Sequence, residues 1–207
     1  DEGLRTRYMI TETLPIFQTT VEYANLRGLI DIESITTKLK NLSYEGNPWG
    51  CNTKVSYFSS EPNDFLSPEG LFFELTEVIK SAVLNIYKIQ GGGLHSTVQV
   101  SRAWGNISRP GSFQEYHTHG GEHYSAILYL KVPKDSGTTV FQSPFSFFDM
   151  LPLPKTDRNK SSNIDTIKVT GEEGDLLIFR SYIGHSVELN RSDSDRVTMA
   201  FNFLIQE

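Results

Sequence analysis

Between residues 115 and 130 the chain reads EYHTHGGEHYSAILYL, which places His117, His119, Glu122 and His123 close together ahead of an apolar run. A neutral imidazole offers a nitrogen lone pair at physiological pH, and several converging on one point can hold a divalent ion. In an extended strand, residues i and i+2 project to the same side, so His117 and His119 would share one space with Thr118 turned away. Glu122 and His123 follow a Gly-Gly break, which leaves their direction open. A lone histidine such as His123 is more often a surface or hydrogen-bonded group than a ligand. By itself the HxH pair reads as a feature of a polar edge; a third ligand would make it a metal site.

His185 offers that ligand. It lies in GDLLIFRSYIGHSVEL, which reads as a strand, a turn and a second strand beginning near the histidine. In a jelly roll, strands far apart in sequence become neighbours, so the long separation is no obstacle. Three imidazoles, or two with a carboxylate or water, suit Fe(II) or another borderline divalent ion.

A second chemical feature lies on the last strand. RVTMAFNFL alternates Arg196, Thr198, Ala200 and Asn202 with Val197, Met199, Phe201 and Phe203. The large apolar set requires burial, most simply under helices, which turns the polar set into the barrel. An arginine there is costly unless it meets an anion. Its planar fork matches a carboxylate with two hydrogen bonds, and Thr198 adds a hydroxyl on the same face. A structural Asp or Glu beside Arg196 is the less economical alternative.

Several elements must position these groups. LPIFQTTVEYA (14–24) reads as a strand, and DIESITTKLKNL spaces Ile32, Ile35, Leu39 and Leu42 as one face of an amphipathic helix. A longer helix is expected over 68–89, with Ser67 as cap, Pro68 in the first turn and Leu71, Leu75, Val78, Ile79, Ala82 and Ile86 as its apolar face. Gly91, Gly92 and Gly93 would end it. Beyond Gly93 the period becomes two, with strands expected at 95–107, 113–119, 124–132, 138–142, 164–170, 175–180, 184–190 and 196–205, separated by turn-rich SRPGS, KDSG, EEGD and NRSDSD. Two helices followed by about eight strands predict an α+β, mainly β fold: an antiparallel barrel or jelly roll with N-terminal helices packed on one side. One domain is expected over 1–207, with 1–12 loose, 13–93 as helical support and 94–207 as the β core. The segment 145–163 reads equally as a lid or as a disordered insertion.

Composition narrows the classes. The 207 residues can bury a core without disulfides or a structural metal, and 38% hydrophobic content is ordinary for a globular chain. A formal charge of −6 argues against nucleic acid as partner. No apolar run suits a membrane span or a signal peptide. The lone Cys51 excludes an internal disulfide and points to a reducing cytoplasm. The chain opens on Asp1, so its native start is expected upstream. Oligomeric state is not readable.

With these residues in view, the sequence resembles the 2-oxoglutarate and Fe(II)-dependent oxygenases, and most nearly the small oxygenases of marine bacteria and their phages related to prolyl hydroxylases. The resemblance runs from LPIF to FNF and is strongest in YHTHGGEHYSAILYLKVPKDSGTTVFQSP and GDLLIFRSYIGHSVELNRSDSDRVTMAFNF. It implies a double-stranded β-helix, with His117 and His185 as metal ligands and Arg196 with Thr198 gripping the distal carboxylate of 2-oxoglutarate. Tyr129 matches the tyrosine that hydrogen-bonds the same cosubstrate. The implied reaction is hydroxylation of an amino-acid, peptidyl-prolyl or small-metabolite substrate by O2, with release of succinate and CO2. The superfamily usually has a carboxylate where this chain has His119. Either His119 completes a three-histidine site, or Glu122 swings in after the glycine turn; strand geometry favours His119.

A cupin is the nearest competitor, as a metal-dependent isomerase or a dioxygenase that does not use 2-oxoglutarate. Five residues separate Gly111 from His117-Thr118-His119, as in the first cupin motif. Glu122 then comes too early, RSYIGH lacks the expected proline, and Arg196 has nothing to do. A metal-free binding module on the same scaffold is a third class. Trp104, Asn106 and Tyr116 are candidates for the mouth of the pocket.

Overall fold

The alternating run RVTMAFNFLIQ forms the strand around which the rest of the molecule is arranged. The structure, a computed structural model, describes residues 19–42, 44–46, 53–57, 66, 68, 70–145 and 165–207. Its elements in order are β1 (Val21–Asn25), α1 (Ile32–Lys40), β2 (Glu45–Gly46), β3 (Thr53–Tyr57), α2 (Phe73–Ile89), β4 (Thr97–Ser108), β5 (Gln114–His117), β6 (Tyr124–Lys131), β7 (Thr139–Gln142), β8 (Thr166–Val169), β9 (Asp175–Arg180), β10 (His185–Val187) and β11 (Arg196–Gln206). They form a large sheet ordered β1-β9-β6-β11-β4-β3-β2 and a small one ordered β5-β10-β7-β8, with antiparallel pairing throughout. The fold is a double-stranded β-helix. Every strand expected from Gly93 onward is present, within a few residues of its expected bounds.

Two apolar clusters account for the layering. On the outer face of the large sheet, Val197, Met199, Phe201 and Phe203 pack with Leu39 of α1 and with Leu75, Ile79 and Val83 of α2. Gly105 of β4 allows the close approach of α1, since a Cβ there would come within 2.6 Å of Leu39 Cδ1. The second cluster joins the two sheets: Phe141 of β7 meets Phe179 of β9 edge-to-face at 5.0 Å, with Tyr129, Leu177 and Ile183 around them. The space between the sheets that this cluster leaves open contains the polar side of β11.

Some expectations are corrected. The long helix begins at Phe73, not Pro68, after a turn in which Phe73 N–H donates to Gly70 O; glycine is a poor helix former. Its buried stripe runs through Leu75, Thr76, Ile79 and Val83, whereas Leu71 and Val78 are exposed, because the helix lies rotated from the face its apolar count suggests. The shorter helix holds as read, with Asp31 as cap through its bond from Ser34 N–H, and its Ile32, Ile35, Leu39 and Leu42 all reach the core. Strand β1 begins at Val21. Strands β2 and β3 extend the large sheet within a segment that carried no clear strand pattern. No helix among the described residues is long and apolar enough to cross a membrane. Residues 14–18, Ser67, Cys51, the N-terminal 1–12 and the stretch 146–164 lie outside the described residues.

Candidate metal centre

The small sheet brings the first two histidines together by register. His185 at the start of β10 sits directly opposite His117 at the end of β5, and their ring centroids are 4.3 Å apart. Each ring has its Nδ1 beside a backbone carbonyl, Glu115 O at 2.8 Å for His117 and Ile183 O at 3.1 Å for His185. A carbonyl accepts only, so the Nδ1 positions carry the protons and the Nε2 lone pairs face a ligand.

His119 joins them by a different route from the one its spacing suggests. Strand β5 ends at His117, so period-two geometry does not govern residue 119. Its backbone N–H instead donates to Ser181 O at 3.0 Å, in the turn between β9 and β10. That bond places its ring centroid 5.0 Å from His117 and 5.2 Å from His185, with Trp104 at 5.7 Å on its other side. One ligand atom from each of the three histidines lies within 4.8 Å of the others. Burial holds His119 down to about pKa 3 and His185 down to about 4, with repulsion between the rings as the next cause. Both are therefore neutral at physiological pH, the form that coordinates a cation.

The other candidates fall outside the cluster. Glu122 follows Gly121, whose φ of +94° redirects the chain, and its Oε1 accepts from Arg102 Nε at 2.9 Å and from Nη2 at 2.5 Å. His123 is cross-linked to the last strand, its Nδ1 accepting from Ile205 N–H at 2.8 Å. Glu122 is thus the anchor of a cation at the cavity rim, and His123 is a structural hydrogen-bonding group.

The histidines line a cavity of about 400 Å³ between the sheets, which also reaches Trp104, Asn106, Tyr116, Thr198 and Arg196. Arg196 is 3% exposed. Among the described residues no carboxylate pairs with it; Nη2 donates to Thr139 Oγ1 at 3.4 Å, and Nε has no hydrogen-bond partner. Its Cζ lies 5.1 Å from the centre of the Tyr129 ring, and burial pulls its pKa below the ordinary arginine value, with Tyr129 opposing. Tyr129 is set behind the cavity wall, its hydroxyl 2.6 Å from Thr139 Oγ1. Burial raises its pKa, which keeps the phenol protonated. An uncompensated buried guanidinium is unfavourable in a finished core and suited to an anionic ligand.

The residues present fit a divalent metal and a carboxylate ligand, on the chemistry of three convergent imidazoles and an orphaned buried cation sharing one cavity. Three residues acquire places that sequence reasoning did not give them. Thr139 links Arg196 to Tyr129, Asn202 lies 3.3 Å from His119 Nδ1, and Arg102 pairs with Glu122. Asn202 was within reach, because it repeats the period of Arg196 and Thr198; Thr139 and Arg102 carry no such signal.

The family described as "Putative 2OG-Fe(II) oxygenase" matches residues 102–202, a span that contains all of these groups. Over these residues, just under half of the chain, the sequence matches the 2-oxoglutarate and Fe(II)-dependent oxygenases, a class of oxidoreductases. No curated protein matches the sequence. Solved structures do resemble it. A prolyl-4-hydroxylase from Pseudomonas putida superposes with a TM-score of 0.60 at 14% identity, covering 90% of this chain and 93% of that one. HygX from Streptomyces hygroscopicus, with nickel, 2-oxoglutarate and hygromycin B bound, gives 0.59 at 16% identity over 89% and 82%. The α-ketoglutarate-dependent epimerase SnoN from nogalamycin biosynthesis gives 0.62 at 13% identity over 90% and 76%. At these identities the likeness concerns the fold.

Proposed function

We propose that this chain is a 2-oxoglutarate- and Fe(II)-dependent hydroxylase whose metal is held by His117, His119 and His185. The observation that carries the reading is Arg196, a buried cation without a carboxylate partner among the described residues, facing the same cavity as three convergent imidazoles. A cupin leaves that arginine without a purpose, and a plain binding module leaves the histidines without one. Structures of the same fold hold nickel and 2-oxoglutarate in HygX, and Fe3+ with α-ketoglutarate in SnoN.

In this reading the metal and cosubstrate supply O2 activation, with a C–H bond hydroxylated while 2-oxoglutarate goes to succinate and CO2. The chain's own groups bind and orient. Arg196 and the Thr198 hydroxyl receive the far carboxylate of 2-oxoglutarate, the guanidinium through its free Nε edge. Thr139 accepts from Arg196 and can give its own proton to Tyr129, which directs the phenolic proton toward a further acceptor. Trp104 and the Arg102–Glu122 pair border His119 on the side toward solvent, where a small-molecule or peptidyl substrate would enter. His119 in place of a carboxylate leaves the bound ion with one more unit of positive charge, which bears on its redox tuning.

The test is an anaerobic titration of 2-oxoglutarate into Fe(II)-loaded protein, followed by its metal-to-ligand absorption band, and then succinate measured after O2 is admitted. A saturable band and succinate are expected. His117→Ala and His185→Ala should each remove most bound iron while the melting temperature stays near wild type. Tight metal binding with no band would sink the reading in favour of a cupin-type enzyme.

A further inference from the structure

His119 differs from the other two histidines in what its Nδ1 meets. The partners of His117 and His185 are carbonyl oxygens, which accept only. The partner of His119 Nδ1 is the side-chain amide of Asn202 at 3.3 Å, a group with a donor at one end and an acceptor at the other. Asn202 is completely buried. As placed in the structure, Nδ2 is the end that faces His119, and Oδ1 accepts from Ser125 Oγ at 2.9 Å, with Ser181 Oγ 2.8 Å from that hydroxyl. Both hydroxyls belong to buried residues.

A half-turn of an amide exchanges oxygen and nitrogen without changing its shape, so hydrogen bonding decides the orientation. With the nitrogen toward His119, Nδ2 donates to Nδ1. The ring proton then sits on Nε2, and no lone pair faces the other two histidines. With the oxygen toward His119, Oδ1 accepts the Nδ1 proton, Nδ2 donates to Ser125 Oγ, and Ser125 gives its proton to Ser181 Oγ. Only hydroxyl rotations are needed, because each serine can donate or accept. Both orientations keep all three contacts, but the second alone frees Nε2.

We propose that Asn202 is the positioning residue for His119: its amide oxygen holds the imidazole proton on Nδ1, an orientation that the Ser125–Ser181 pair accommodates by hydroxyl rotation, so that Nε2 is available to a divalent metal. This rests on the three-histidine metal reading. It also gives β11 two tasks on one face, with Arg196 serving the cosubstrate at one point and Asn202 serving the metal six residues further on.

The experiment uses the full chain and Co(II), whose visible spectrum reports coordination, with affinity measured by chelator competition. Asn202→Ala should weaken Co(II) binding by roughly 10–100-fold, the usual effect of losing a partner that orients a ligand. Asn202→Asp, which can only accept at this position, should bind within about threefold of wild type; a role limited to packing or to amide donation would make it as weak as the alanine variant. In the His119→Asp background there is no tautomer to fix, so Asn202→Ala should lose much less. Nitrogen-15 spectra of the Zn(II) form should show the His119 proton on Nδ1. Wild type binding no Co(II) would overturn the metal reading and the inference with it. Equal affinity in wild type and Asn202→Ala, an Asn202→Asp as weak as the alanine variant, or a His119 proton on Nε2 would overturn the inference alone. Should Asn202→Ala fail to fold, Ser125→Ala and the Zn(II) spectra decide on the same criteria.

Discussion

The two faces of β11 are equally buried and chemically opposite. Val197, Met199, Phe201 and Phe203 on the outer face are each fully removed from solvent against α1 and α2. Arg196, Thr198 and Asn202 on the inner face are 3%, 4% and 0% exposed, yet they face a cavity. The outer face gains stability from the area it buries. The inner face loses stability at Arg196, whose buried guanidinium is desolvated with too few partners among the described residues to compensate. Burial alone therefore does not distinguish core from site on this strand. What does is whether the buried groups satisfy one another: the outer set does, and Arg196 on the inner face does not among the described residues.

Substitutions on the two faces should separate accordingly. The largest effect is expected on the outer side, where Ile79→Asp or Leu75→Asp sets an unpaired charge against β11 and should abolish cooperative unfolding. A native melting transition in both variants would mean that α2 does not pack as described. On the inner side, Arg196→Ala should weaken 2-oxoglutarate by about 30-fold or more, corresponding to about 2–5 kcal/mol for a buried ion pair. Its melting temperature without ligand should not fall, since an uncompensated charge is removed. Arg196→Lys should recover only part of the affinity, because a point charge cannot reproduce the fork. If Arg196→Ala unfolds the chain while binding 2-oxoglutarate normally once refolded, the contrast between the faces is wrong.

A smaller change is expected for His119→Asp, which restores the usual superfamily carboxylate. The variant should keep Fe(II), measured by metal content after gel filtration. Loss of iron with the fold intact would show a site committed to three imidazoles. The smallest effect concerns pH. In the unfolded chain His119 and His185 take up protons near the ordinary imidazole value of 6.5, whereas in the fold they do so only near 3 and 4. Between those limits the unfolded state binds more protons, so the metal-free protein should lose stability as pH falls from about 6.5 to 4. His119→Gln should flatten that slope in a melting-temperature series; an unchanged slope would contradict the burial of this ring.

Period-two alternation carried most of the fold. A half-buried strand writes its two environments into consecutive residues, and from Gly93 onward that pattern located the strands and divided β11 into its two faces. The α2 boundary was harder, since Ser67, Pro68 and an apolar count suggest a start that Gly70 and the packing of Phe72 do not honour. Strands β2 and β3 are short and owe their existence to the exposed edge of β4.

The sequence by itself determined which side chains could coordinate and which strand face would be polar, because residue type and local periodicity are properties of neighbours in the chain. It favoured His119 over Glu122 on a strand period that reaches neither, because both lie past the end of β5. Which of the two lies beside His117 and His185 was set by contacts between segments remote in sequence. Ser181 O holds the His119 backbone, Arg102 draws Glu122 to the rim, and β10 sets His185 opposite His117. Likewise, that Arg196 has no carboxylate partner among the described residues is visible only when the surroundings of its guanidinium are known, for pairing across the cavity is a property of no single segment.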